Sequence, residues 1–242
     1  YADDHAASGQ AGSQAPFNLQ ANLCVLNPGK TMVQYDRLVN DYLEWSVTND
    51  VEVTFVRHVP VYSHADAENP RSYDFIDFLA ADYSTMGRSW DKWLGTADGQ
   101  KLNEKWGQLA NCNVKQGTVY FQWGDVAALS EDDDRVVTWN WCTRKEGVSP
   151  DQLMAKHQSF AAGLGDKEPG IGWYIFVPRI GAANLPGQFA HVSVYPDFEA
   201  LMTGQQHLTE GGWRDRHDYY TSYADCRGES AMVETIMRRP SN

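Results

Sequence analysis

The sequence predicts an α+β protein made of two tandem β-α-β-β-α-β repeats, and three observations predict it. Residues 21–29, ANLCVLNPG, align with residues 139–147, WNWCTRKEG, when Cys24 is laid on Cys142, 118 positions later. Each segment has Asn two residues before the Cys (Asn22, Asn140) and Gly five residues after it (Gly29, Gly147). At the same distance beyond each Cys comes an S/T-x-x-Q signature, Thr31–Gln34 and Ser149–Gln152, the pattern of a helix capping box. Thirty-five residues beyond each Cys, a Val-Pro pair closes a β-rich run, at Val59-Pro60 and Val177-Pro178. Self-similarity at one fixed period marks a repeated structural unit.

The elements follow in order. Strand one ends near the Cys, and the Gly begins the turn. Helix one starts at the capping box, helped in the second copy by Pro150 in its first turn. Its apolar face is expected to carry Val33, Leu38, Tyr42 and Trp45 in one copy, and Leu153, Met154, His157 and Phe160 in the other. Strand two is VEVTFVRHVP or GIGWYIFVP, with Pro suiting a strand end. The loop before the second of these, GLGDKEPGIG, takes its turn conformations from glycine. Strand three is YDFIDFL or FAHVSVY; an acidic helix start (Asp82, Asp197), a long helical region, Cys112 or Cys226 and a last strand complete each copy. This order is the split βαβ, ferredoxin-like unit. The boundaries expected are a flexible tail at 1–16, a first repeat at 17–128, an acidic linker at 129–135 and a second repeat at 136–242.

In that topology the first and last strands are antiparallel neighbours. Cys24 therefore meets Cys112, and Cys142 meets Cys226, closing loops of 88 and 84 residues. In the chain-entropy account each bridge contributes roughly 4 to 5 kcal/mol. A metal site would need ligands at short spacing, which the four cysteines lack. Cystines, together with an Ala/Gly/Ser/Gln-rich start that lacks Met, point to a secreted or periplasmic protein from which a signal peptide has been removed. The net charge of −12 argues against a nucleic-acid partner, and no apolar run is long enough for a membrane span. SEDDDR, at 130–135, reads as solvated surface without calcium-loop spacing. There is no phosphate-binding glycine loop, nucleophile elbow or HExxH sequence.

The element order, with SWDKWLGTADGQKLNEKWG (89–107) as a second helix, resembles the dimeric α/β-barrel superfamily in a fused, tandem form over residues 17–239. The resemblance implies two antiparallel sheets packed through their helix-free faces into a barrel, with a ligand inside or at its mouth. It also implies a choice among small monooxygenases, isomerases, chlorite dismutases and haem-degrading enzymes, which fold alone does not make.

Period-two alternation then sorts the strands. Ile76, Phe78, Val192 and Val194 form an apolar set expected under the helices, as do Leu23 and Trp141. Facing the barrel would be Asn22, Asn140, Tyr73, Phe75 and Asp77, with Phe189, His191, Ser193 and Tyr195 in the second copy. His58, Tyr174 and Phe176 lie on the more ambiguous second strands. His191, Asp77, Asn22 and Asn140 are the candidate catalytic groups, able to polarise or deprotonate a ligand. His58, Tyr73, Phe75, Tyr174, Phe176, Ser193 and Tyr195 are candidate ligand contacts. Each also has a plain structural reading: an interior histidine, an edge-satisfying asparagine, a core aromatic. Buried Asp77 needs a partner such as Arg57 or His58.

The resemblance to haem-degrading members rests on Asn in strand one, then Trp and His on the second helix. Asn22 and Trp93 match in the first copy, but Asn103 stands near the ligand position; in the second, Asn140 and His217 match, but Leu208 replaces the Trp. The leading expectation is a small apolar or aromatic molecule bound between the sheets, with cofactor-free oxygenase or isomerase chemistry. The alternatives are haem held by His217, and a non-catalytic protein whose barrel is filled by its own side chains.

Overall fold

A computed structural model describes residues 10–11, 14–65, 72–164 and 169–240. Most of the expected tail and part of the loop before the second strand two lie outside these residues. The first half runs β1 (Phe17–Leu26), α1 (Met32–Thr48), β2 (Thr54–Tyr62), β3 (Phe75–Ala81), α2 (Tyr83–Gly95), α3 (Ala97–Leu109) and β4 (Ala110–Gly124). After a single-turn helix α4 (Ala128–Glu131) come β5 (Asp134–Arg144), α5 (Pro150–Ala161), β6 (Gly172–Pro178) and β7 (Phe189–Tyr195). The chain ends with α6 (Phe198–His207), a π turn (Leu208–Gly212), α7 (Trp213–Ser222) and β8 (Ala224–Arg238).

The local signals behave as their chemistry requires. Both capping boxes form: Thr31 N–H donates to Gln34 Oε1 at 3.0 Å, and Ser149 N–H to Gln152 Oε1 at 2.8 Å. Asp82 and Asp197 cap the second helical regions, accepting from Thr85 N at 2.9 Å and Ala200 N at 2.8 Å. Gly29 and Gly147 take φ of 77° and 80°, which explains why both copies keep Gly in that turn. The buried seam of α1 is Tyr35, Leu38, Val39, Tyr42 and Trp45, whereas Val33, expected on it, is exposed; Phe160 is likewise exposed on α5. β2 continues two residues beyond Pro60 through a register irregularity. The acidic segment is shorter than expected, because β5 already begins at Asp134.

All strand pairs are antiparallel, in the order β4-β1-β3-β2-β8-β5-β7-β6, and β6 pairs back onto β4 to close an eight-stranded barrel. A two-residue strand, Gln10–Ala11, also pairs with β4. The sheets of the two halves are thus hydrogen-bonded into one closed sheet through β2–β8 and β4–β6, where two stacked sheets were expected. Closure gives every main strand two neighbours, although residues 110–115 of β4 extend past the ladder with β6. Cys24 is bonded to Cys112 and Cys142 to Cys226, in register across β1–β4 and β5–β8.

Both faces of the sheet are buried. The barrel interior is packed by Phe78, Phe121, Val137, Trp139, Phe176, Met232 and Ile236, with Trp141 and Tyr174 partly buried beside them. Trp139 stacks on Phe78 with centroids 5.5 Å apart. The outer face packs under α1–α3 through Tyr35, Tyr42, Trp45, Phe55 and Phe75, and under α5 and α7 through His157, Trp173, Phe189 and Tyr219.

This reverses the expected facing of strands one and three. Ile76, Phe78, Val192, Val194, Leu23 and Trp141 belong to the barrel cluster, while Phe75 and Phe189 lie under the helices. Alternation separates two faces but does not say which is which when both are buried. The polar set went to the helix side because the helices supply its partners: Tyr35 and Asp36 of α1 bind the Asp77–Arg57 pair, and Tyr219 of α7 binds His191.

Candidate functional site

A cavity lies outside the barrel wall, in the first half. It is a cleft of about 350 Å³ between the outer face of β1 and β4 and helices α1, α2 and α3. Gln20, Asn22, Cys112 and Val114 form its sheet side; Tyr42, Trp45, Ser89, Trp90, Trp93, Asn103, Trp106 and Gly107 come from the helices. The wall is largely aromatic, with carboxamides as its main polar groups, as suits an aromatic ligand that needs orientation. Among the described residues no His, Lys, Arg, Asp or Glu lines it, and burial pushes the Tyr42 hydroxyl up, away from ionisation.

The helix break shapes the cleft. Thr96 caps α3 by accepting from Gly99 N at 3.1 Å, and a Cβ on Gly99 would meet Trp93 O at 2.3 Å. Glycine there lets α3 turn back tightly on α2, bringing Trp93 and Trp106 together at 6.3 Å. Sequence reasoning placed Trp45 on the apolar face of helix one and Trp90, Trp93 and Trp106 on a second helix, and it did not single out Gln20. The available signal was four tryptophans, Trp45, Trp90, Trp93 and Trp106, set against Asn22 and Asn103 on the facing strand and helix.

The candidate residues are dispersed over the molecule. Asn22 lines the cleft with Trp93 and Asn103. Asp77, fully buried with Phe75, receives Arg57 Nε at 2.7 Å and Nη2 at 3.0 Å, and Tyr35 Oη–H at 2.9 Å; Arg57 also reaches Asp36. Inside the barrel, beside Tyr174 and Phe176, His58 Nε2 lies 2.7 Å from Glu234, which also pairs with Arg135. Trp139 donates its indole N–H to His58 Nδ1 at 3.3 Å, so the ring hydrogen sits on Nε2 and goes to Glu234. The histidine and the arginine hold the Glu234 carboxyl below its usual range, although burial opposes them. Tyr73 packs against the barrel cluster, Tyr195 lies with Leu201 and Ala231 under α6, and Ser193 is half-buried.

In the second half, side chains from α5 and α7 pack beside Asn140 and His191. Asn140 donates to Tyr220 Oη at 3.0 Å and accepts from Gly228 N at 3.1 Å, which is the structural reading of that residue. His191 accepts from Trp173 Nε1 at 3.2 Å and lies 3.2 Å from Tyr219 Oη, which is 2.7 Å from buried His157. Among the described residues, His191 and the Cys142–Cys226 sulfurs are the only metal-type cluster, and the sulfurs are spent in the disulfide. His217 stands exposed on α7 beside Trp213.

Burial lowers His157 to about 4, and His191 well below its ordinary value. A depressed histidine pKa means that the unfolded chain binds protons the native state refuses. Its contribution is full above about pH 6.5 and is lost as pH falls through about 4. For His157 this is roughly 3 kcal/mol. Urea titrations at pH 7 and pH 4.5 should show the wild type losing more stability than His157→Gln; equal losses would contradict the assignment.

Neither protein-family models nor curated proteins yield a match to the sequence. Solved structures do resemble the fold. A provisionally assigned monooxygenase from Lactobacillus acidophilus NCFM is 11% identical, with a TM-score of 0.53 over 91% of this chain and 94% of its own. An anthrone oxidase-like protein is 11% identical, with a TM-score of 0.53 over 95% and 94%. A haem-binding protein from Thermus thermophilus is 8% identical, with a TM-score of 0.50 over 95% and 93%. The chain therefore has the fold of the dimeric α/β-barrel superfamily.

Haem does not suit the residues present. Asn103 occupies the place where the resemblance puts an axial histidine, the lining offers no imidazole or free thiolate, and His217 stands on the exposed side of α7 against Trp213.

Proposed function

We propose that the protein binds a small, largely apolar aromatic molecule in the first-half cleft. The observation that carries this reading is the asymmetry of two like halves: one keeps an open aromatic cleft around Asn22, the other packs Tyr220, His157 and Tyr219 beside Asn140 and His191. We take the like halves as an internal duplication in which one copy retained a ligand site. The names of the structural neighbours, a monooxygenase and an anthrone oxidase-like protein among them, support a small-molecule role. Any oxygenase or isomerase step in this cleft has no carboxylate, imidazole or amine of the lining to serve as base, and burial keeps the Tyr42 hydroxyl protonated. The filled barrel suits the purely structural alternative, but that alternative leaves the cleft unexplained. Two disulfides support maturation in an oxidising compartment, either secreted or periplasmic.

The test is a tryptophan-fluorescence titration with polycyclic phenols, ketones and quinones, with oxygen uptake followed in parallel. Saturable quenching is expected. Gly107→Phe, whose Cβ has open space, should weaken binding about tenfold or more by placing a ring in the cleft. Indifference to the whole panel would sink the proposal. Added haemin should give no Soret band that depends on His217; a band lost in His217→Ala would restore the haem alternative.

A further inference from the structure

We infer that Trp90 and Gln20 fix the polarity of Asn22, so that the cleft presents a hydrogen-bond donor and selects an uncharged ligand bearing a carbonyl oxygen. The inference rests on the cleft being the ligand site.

The argument is one of donor and acceptor counting. Trp90 Nε1 lies 2.7 Å from the Gln20 side-chain oxygen, and an indole N–H can only donate. That contact decides which end of the Gln20 amide is oxygen, an orientation that is otherwise ambiguous for glutamine. The other end of Gln20 is therefore its NH2, which lies 2.9 Å from the Asn22 side-chain oxygen. With its oxygen turned to Gln20, Asn22 holds its NH2 at the opposite end of the amide, and no described side chain or backbone group accepts from that NH2. Gln20 is buried and Asn22 half-buried on the same face of β1, two residues apart, so the strand holds the relay in line. Trp90 reaches it from α2, the helix that forms the opposite wall.

A fixed donor calls for an acceptor on the ligand. Carboxylates and phenolates also accept, but no cation lines the cleft to compensate a charge leaving water. A ketone or quinone oxygen on an apolar ring system matches both conditions. Asn22 would contact the ligand, whereas Gln20 and Trp90 are positioning residues acting through it.

The experiment compares fluorene, 9-fluorenone and 9-fluorenol, which share a skeleton and differ in having no polar group, an acceptor only, or a hydroxyl. Affinities are measured by calorimetry on the full chain. The wild type is expected to bind fluorenone about tenfold more tightly than fluorene. In Gln20→Glu the new carboxylate accepts from Trp90 and from the Asn22 NH2 alike, turning the Asn22 oxygen into the cleft. Fluorenone should then lose its advantage over fluorene, and fluorenol should become the preferred ligand. Trp90→Phe should reduce the fluorenone-to-fluorene ratio to about threefold or less by freeing the relay. If thermal unfolding finds Gln20→Glu unfolded, Gln20→Leu replaces it, and its ratio should fall likewise. The readout is a ratio of affinities, which a merely structural role for these residues would leave unchanged. Equal binding of fluorene and fluorenone by the wild type would overturn the inference while leaving the binding function intact. A fluorenone preference kept in Gln20→Glu would do the same. Failure of the wild type to bind any of the three would remove the proposed function and this inference together.

Discussion

Asp77→Ala is expected to lower the free energy of unfolding by about 3 to 5 kcal/mol, because it strands a buried guanidinium. Arg57 is 7% exposed, and its fork is closed on Asp77, which is 0% exposed. The remaining partner, Asp36, is half-exposed and takes only one nitrogen. The aromatic faces of Tyr35 and Phe75, 5.2 and 5.1 Å from the Arg57 carbon, offset part of the loss but leave polar hydrogens unmet. Removing both charges is a different matter: Arg57→Met with Asp77→Leu replaces an ion pair by apolar volume and should be near neutral. Denaturant midpoints of the two single variants and the double variant measure this directly. A loss below about 1 kcal/mol in Asp77→Ala would mean that Asp36 suffices as counter-ion. The consequence extends to the cleft, since Tyr35 donates to Asp77 and packs edge-on against Trp106 of the cleft wall at 5.3 Å. Weaker ligand binding should therefore accompany the stability loss.

The requirement that Asp77 be paired was legible in the sequence, which offered Arg57 and His58 alike; the partner is Arg57. Both capping boxes and both cystines were legible too, because each depends on short-range spacing or on strand adjacency. The direction of the faces was not. It depends on which side offers hydroxyls and cations, and Tyr35, Asp36 and Tyr219 are brought to β3 and β7 only by helix packing. Asn22 and Asn140 look equivalent in sequence, yet Tyr220 accepts from the Asn140 NH2, while among the described residues nothing accepts from the Asn22 NH2. That difference lies 80 residues away from Asn140, beyond any local pattern. The cleft was missed for the same reason. A row of tryptophans reads equally well as core or as wall until the Gly99 contact shows how closely α2 and α3 approach.

The two disulfides should be similar in stability and unlike in function. Replacing either pair by alanines releases a loop of 88 or 84 residues and should cost roughly 4 to 5 kcal/mol in the chain-entropy account. Ligand binding should separate them. The backbone of residues 110–115 of β4 pairs with β1, whereas the ladder with β6 runs only from Gly117; the Lys115 side chain alone reaches past β6, to Gly181 O at 2.8 Å. This singly paired stretch carries Ala110, Asn111, Cys112 and Val114 to the cleft. The Cys24–Cys112 bond is thus a second tether on the strand that forms the cleft floor. Without it, the stretch has one ladder to hold it, and its opening free energy falls toward that of an edge strand. Cys24→Ala/Cys112→Ala should weaken ligand binding about tenfold, since the cleft must be ordered before it is occupied. Cys142→Ala/Cys226→Ala, in the second half, should leave affinity within about twofold at temperatures where the protein remains folded. Titrations of both variants against one ligand, with denaturant midpoints for each, decide the matter. Equal losses of affinity would mean that the staples act only through global stability, and that the cleft does not depend on its own cystine.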